Sequence, residues 1–247
     1  MSDPRSETEV LSARPGNRRM KAILVVAAAA GFVASPWFTA GFGGFAPDLF
    51  PLPQRNPPVQ PAGYAFAIWG LIYLWLVVHA LTGLFARAEN DGWDATRWPL
   101  IASLAVGASW IAVANTSAVW ATVLIWVMLG GALAARARAP GSDRWLAALP
   151  LGVYAGWLTA ASWVAVGLML GGYGVLSETW AAVAALLGAV GMAAIVQQSL
   201  GRAPEYGLTV IWALVAVVVG NLDAPALAAL AALGAATVGA VMVKTYR

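Results

Sequence analysis

The stretch that decides the fold runs from Pro61 to His79: Pro-Ala-Gly-Tyr-Ala-Phe-Ala-Ile-Trp-Gly-Leu-Ile-Tyr-Leu-Trp-Leu-Val-Val-His. It opens an apolar segment predicted to be helical over residues 62–86, long enough to cross the hydrocarbon layer of a bilayer. Phe66, Trp69 and Tyr73 fall at i, i+3 and i+7, so one face of that helix carries three rings. Tyr64 stands at its mouth, and a loop rich in proline (Pro51, Pro53, Pro57, Pro58) leads into it. Inside a helix bundle, such a face can line a cleft for a flat apolar ligand.

The rest of the chain has the composition of a bundle in lipid. Of its 247 residues, 61% are hydrophobic and only 10% are charged, where a soluble domain carries about 25% charged residues. The apolar runs are near 20 residues long and do not alternate, which predicts an all-α integral membrane protein and not a β-barrel. With no cysteine, disulfides, thiolate metal sites and cysteine nucleophiles are excluded.

Working outward from the quoted stretch, residues 1–19 are polar and are expected to form a disordered tail. A first apolar segment follows, about 22–38. Its charged start and the small residues Ala34 and Ser35 also fit a signal peptide, but Trp37 and Phe38 continue the apolar run and favour a retained span. Residues 39–60 are a Gly- and Pro-rich loop, longer than the usual connection of about 4–6 residues, and are predicted to act as a lid. Further helices are predicted over about 98–114, 118–136, 145–170, 178–199, 205–220 and 224–243, giving about eight transmembrane helices. Ser117 closes a tight turn able to cap the fourth helix, and Asp223 is a candidate cap for the eighth. Helices six to eight are rich in Ala and Gly, which allows close backbone approach in lipid; Gly188 and Gly191 offer a face for a homodimer.

Charge placement supports the span count. With eight spans and a cytoplasmic N-terminus, 13 of the 14 Lys and Arg residues fall on the cytoplasmic side and only Arg55 lies outside. Both termini are then cytoplasmic, and a bacterial inner membrane is the expected location. The cations lie in separate segments and form no interleaved patch, which removes nucleic acid as the explanation of the net charge of +3.

Groups able to do covalent chemistry are few. No acidic residue lies deep in a predicted span, which argues against an ion-coupled pump. There is no phosphate-binding loop, no metal-binding histidine pair and no serine nucleophile elbow, so no catalytic residue and no metal ligand is predicted. His79, the single histidine, could serve as an axial haem ligand or a proton switch, but it lies off the ring face and is expected to be a neutral residue bonded to a neighbouring helix or snorkelling to the interface. Of the 13 tryptophans, Trp93, Trp98, Trp120, Trp145 and Trp180 fall near span ends, where an interfacial belt explains them. The deeper ones include Trp69, Trp110 and Trp157. Tyr154, Trp157 and Ala161 share a face of the fifth helix, and Ser103, Gly107 and Trp110 share one on the third. A small residue beside a large ring leaves space either for a guest or for a neighbouring helix.

At these residues the chain resembles the tryptophan-rich sensory protein family, also called the TspO/MBR or translocator protein family. The resemblance rests on Phe66-x-x-Trp69-x-x-x-Tyr73 after a proline-rich loop and Tyr64, on Leu104-Ala105-x-x-x-x-Trp110, and on Tyr154-x-x-Trp157-x-x-x-Ala161. Gly107 and Ala165 stand where the family carries asparagine, and the proline beside the fifth-helix tyrosine is displaced to Pro150. The likeness covers about residues 20–172, leaving 173–247 as three additional helices. It implies a five-helix bundle that binds porphyrins, sterols or comparable apolar molecules under the loop joining its first two helices.

Matching positions give Trp69, Trp110, Trp157 and Ala161 as ligand-binding candidates; Phe66, Tyr73 and Tyr154 join them from the helical faces, and Tyr64 from its place at the mouth of the second helix. The expected function is a membrane sensor or transporter for tetrapyrroles or for sterol- or isoprenoid-like compounds. No cofactor is required, and a tetrapyrrole is the expected ligand; the partners are an apolar small molecule and membrane lipid. The rival reading is a structural or interaction protein whose aromatics only pack helices. A tetrapyrrole-modifying enzyme is a third, disfavoured by the lack of catalytic groups.

Overall fold

A computed structural model describes residues 15–39 and 42–246. These form eight α-helices and, among the described residues, no strand: α1 Pro15–Ala34, α2 Ile68–Phe85, α3 Asp91–Ala114, α4 Ala118–Arg138, α5 Leu149–Gly172, α6 Glu178–Leu200, α7 Pro204–Gly220 and α8 Pro225–Tyr246. Seven of the spans are long and apolar enough to cross a membrane, and α7, at 17 residues, is apolar but shorter. The chain is an integral membrane protein of helical class.

Local chemistry explains where the ends fall and where expectation slipped. α3 begins at Asp91, seven residues ahead of the predicted start. The Asn90 side chain accepts from Trp93 N at 3.1 Å, and Asp91 and Asp94 in the first turn suit the positive end of the helix dipole. The polar stretch read as a loop is thus the capped start of a helix. α4 is capped by Ser117, whose side chain accepts from Trp120 N. α1 starts at Pro15, so residues 15–19 are helical and not part of a tail; residues 1–14 lie outside the described chain. α8 starts at Pro225, which leaves Asp223 two residues short of the helix and not at its cap. The quoted ring stretch enters α2 through a 3₁₀ turn, Gly63–Ala67.

Helix α5 is the axis of the molecule. It is apolar all round and almost wholly buried, as expected for a helix surrounded by others. α1, α2, α5, α4 and α3 pack in sequence into a closed circuit, and α5, α6, α8 and α7 close a second one on its opposite side. Glycines set these approaches. On the α7 side of α5, an added β-carbon at Gly156 would stand 2.6 Å from Tyr206 O, and one at Gly152 would collide with the Glu205 side chain. Gly188 of α6 accepts the indole of Trp163, which an added β-carbon would strike, so its small size serves a contact within the chain. Gly191 has no neighbour there.

The two ends of the bundle differ chemically. At the end holding the N-terminus of α1, ion pairs gather: Lys21–Asp94 at 2.8 Å, Arg97–Asp94 at 3.1 Å, Arg87–Asp143 at 2.7 Å and Arg136–Glu205 at 2.6 Å. Arg97 is buried and also donates to the carbonyls of Arg18, Ala88 and Arg87 at 2.7–2.9 Å, tying α1 to the α2–α3 turn. The opposite end carries the long loop ahead of α2.

Candidate ligand-binding cavity

The helical repeat of α2 brings its rings to α5 and α1. The Trp69 ring stacks on Tyr73 with centroids 5.3 Å apart and meets Trp157 edge-on at 6.1 Å. Phe66 meets Trp157 edge-on at 5.8 Å. Phe32 of α1 lies among them, 5.8 Å from Trp69, 5.3 Å from Tyr73 and 5.7 Å from Tyr154. These are the offset and edge-to-face geometries aromatic pairs prefer. On α3, Trp110 donates from Nε1 to Ala121 O at 2.9 Å, which locks the indole and leaves its ring against Phe42 at 4.7 Å.

Between these rings lies a two-lobed apolar cavity. One lobe, about 230 Å³, sits inside the five-helix circuit and is lined by Phe32, Phe42, Phe66, Trp69, Tyr73, Trp110 and Leu158, among others. The other, about 70 Å³, passes under the loop toward α6 and α7 and includes Phe42, Phe45, Val59, Phe66, Trp110, Trp157, Ala161 and Leu186. Phe42, Phe66, Trp110 and Ile125 belong to both walls, so these side chains form the partition.

Six of the eight predicted residues line this space: Phe66, Trp69, Tyr73, Trp110, Trp157 and Ala161. Two are placed elsewhere. Tyr64 is 43% exposed and packs edge-on to Trp212 of α7; two residues before Phe66, it falls on the opposite side of the helical turn from the ring face. Tyr154 is fully buried one layer behind Phe32, and its hydroxyl shares a hydrogen bond of 3.0 Å with Ser103 Oγ. Sequence reasoning missed Phe32, Phe42, Phe45 and Val59. The signal for Phe32 was Gly107: an added β-carbon there would stand 2.7 Å from two Phe32 ring carbons, so the space beside Trp110 belongs to a neighbouring helix.

The loop over the cavity is fastened to the second circuit. Phe50, Gln54 and Val59 are buried. Leu52 N donates to Gly172 O at 2.9 Å, Ala62 N to Ala216 O at 3.0 Å, and Asn221 Nδ2 to Pro58 O at 2.9 Å. Gly172 leaves the room in which the Phe50 ring lies, since a β-carbon would strike it. α5 and α7 therefore hold the cover over a space whose inner lobe lies within the first circuit and whose outer lobe reaches α6 and α7.

The histidine and the charged side chains of the core lie outside the cavity. His79 is buried, stacks on Trp93 at 4.8 Å and places Nδ1 2.8 Å from Leu146 O, away from the rings. Among the described residues, no set of His, Cys, Asp and Glu side chains is grouped to hold a metal ion. In the loop between α4 and α5, hydrogen bonds from Arg87 and from Trp93 Nε1 hold the Asp143 carboxyl below its usual range, and the same partnership raises the Arg87 guanidinium.

A family model described as TSPO-like protein matches residues 54–244. The match runs from the end of the loop through α2 to α8, so it takes in the three C-terminal helices that the resemblance over 20–172 left aside. No curated protein and no solved structure matches the chain.

Proposed function

The chain belongs to the TSPO-like protein family, and on that premise we propose that it binds a planar apolar molecule, a tetrapyrrole first of all, in the two-lobed cavity beneath the loop. The observation that carries this reading is the convergence of Phe66, Trp69, Tyr73, Trp110 and Trp157 on two adjoining apolar lobes that share the Phe66 and Trp110 side chains. Stacking on ring faces and dispersion would hold such a ligand. Sterol- or isoprenoid-like compounds are the next class the lining suits.

The lobes, at about 230 and about 70 Å³, are smaller than the roughly 300–1,000 Å³ of pockets for drug-sized ligands. Binding therefore requires the partition to move. Phe42 is the side chain for that: it lies in the loop, belongs to both walls, and its displacement joins the lobes. The ion-pair end is the cytoplasmic one in this reading, with the loop on the outer face, as the distribution of Lys and Arg favours. A role as sensor or transporter fits the family better than catalysis.

Protoporphyrin IX quenching of tryptophan fluorescence tests the proposal. Trp157→Ala should weaken saturable quenching at least tenfold while the helical signal persists. The edge-to-face packing of the rings supports a second reading, in which they serve helix packing alone. That reading predicts no saturable quenching in the parent protein and an effect of Trp157→Ala on thermal stability only.

A further inference from the structure

The two lobes of the central cavity are lined by different chemistry. The inner lobe, about 230 Å³, is walled by rings: Trp69 stacks on Tyr73, and Phe32 meets both edge-on. The outer lobe, about 70 Å³, leaves those rings and enters the second circuit, where α5, α6 and α7 face one another through Ala165, Ala185, Ala189, Ala213 and Val217. All five are buried, and the wall common to both lobes is Phe42, Phe66, Trp110 and Ile125.

Helices this rich in alanine and glycine ordinarily close in lipid until their backbones touch. α5 does so against α7 at Gly156, where an added β-carbon would stand 2.6 Å from Tyr206 O. One turn further on, that contact gives way to the slot, which follows α5 over residues 160–168, a rise of about 12 Å. A small volume spread over that length is slender, and it takes a chain and not a ring. Left unfilled, an apolar slot forfeits the dispersion contacts that such a chain restores.

No charged side chain is among the described residues that line either lobe, so the part of a guest held there is uncharged. Ring faces suit a flat head, and the slot suits a hydrocarbon tail. We infer that the guest of this cavity is a neutral ring bearing one prenyl or alkyl chain: the ring lies in the inner lobe, and the chain passes Phe42 into the slot between α5, α6 and α7. This rests on the reading that the cavity takes a planar apolar molecule, and it narrows that class to its tailed members. α6 and α7 then supply the part of the site that selects for the tail.

Phylloquinone and menadione share a ring system and differ in one phytyl chain, which makes them the probes. Saturable quenching of tryptophan fluorescence by each is measured on the full chain in phosphatidylcholine nanodiscs, titrated by the quinone's mole fraction in the bilayer. Phylloquinone should bind about tenfold more tightly than menadione, because its chain fills the slot. Ala213→Leu, which fills the slot with protein instead, should bring that ratio close to one. If Ala213→Leu does not fold, photo-crosslinking of the parent protein decides: a naphthoquinone whose chain ends in a diazirine should label residues 185–189 and 210–217. Equal affinities in the parent protein, a ratio unchanged in Ala213→Leu, or labels confined to lipid-facing positions overturn the inference. So does an absence of quenching by both quinones. Saturable protoporphyrin IX quenching in the same preparation would then leave the planar-ligand reading standing, and its absence would remove that reading too.

Discussion

Phe32 of α1 occupies the space that Gly107 of α3 leaves free: a β-carbon on Gly107 would lie 2.7 Å from two carbons of the Phe32 ring. This pair ties the first helix to the third and sets the depth of the inner lobe.

Gly107→Ala should therefore destabilise the protein by about 1–3 kcal/mol through overpacking. Thermal unfolding in detergent measures this. Combining it with Phe32→Leu should recover part of the loss, since the added methyl then meets a smaller neighbour; strict additivity of the two changes would show that they are not coupled.

The buried Arg136–Glu205 pair predicts an asymmetry. Arg136→Met alone leaves a buried carboxylate with less compensation and should cost about 3–5 kcal/mol. Arg136→Met with Glu205→Leu should lie much closer to the parent protein, because both charges are gone. A double variant as unstable as the single one would contradict this.

Asp143 gives a pH dependence. Its folded-state carboxyl is held below the usual range, first by the hydrogen bond from Arg87. The stabilisation is fully present above the unfolded value, near 3.9, and is lost as pH falls through the lower folded value. Asp143→Asn should lower the melting temperature at pH 7, and the gap between the two proteins should narrow as the pH falls below about 4. A gap that widens on acidification would refute the assignment.

Asn221 pins the loop by donating from Nδ2 to Pro58 O and Val217 O, each at 2.9 Å. Asn221→Ala should cost about 1 kcal/mol and free the cover. Limited proteolysis should then cut within residues 42–62 faster than in the parent protein, with the helices left intact.

The absence of cysteine makes sidedness directly measurable. A single cysteine at Arg138 should react with an impermeant maleimide only after lysis, and one at Arg55 should react on intact spheroplasts. The reverse pattern would invert the topology.

The helices were legible because lipid imposes long uninterrupted apolar runs, and Ser117 announced α4 through an ordinary cap. The start of α3 was hidden because Asp91, Asp94 and Arg97 look like a loop until Asn90 is seen capping them. The ring face of α2 could be read from its spacing, since Phe66, Trp69 and Tyr73 share one direction. Tyr64 stood outside that spacing: two residues before Phe66, it falls on the opposite side of the turn and meets Trp212 of α7 instead. Phe32, Phe42 and Val59 were invisible for another reason. They reach the cavity from elements distant in sequence, and only packing reveals which helix fills the gap beside Gly107 or Gly167.

Helix α5 lies in both closed circuits of the bundle. A truncated version ending at Tyr173 would keep every ring of the inner lobe yet strip one whole flank of that helix. The notches at Gly152 and Gly156, shaped for backbone and side chains of α7, would face hydrocarbon instead. The cover, fastened through Ala216 and Asn221, would lose those moorings. The last three helices are therefore a buttress that carries two of the three hydrogen-bonded moorings of the roof.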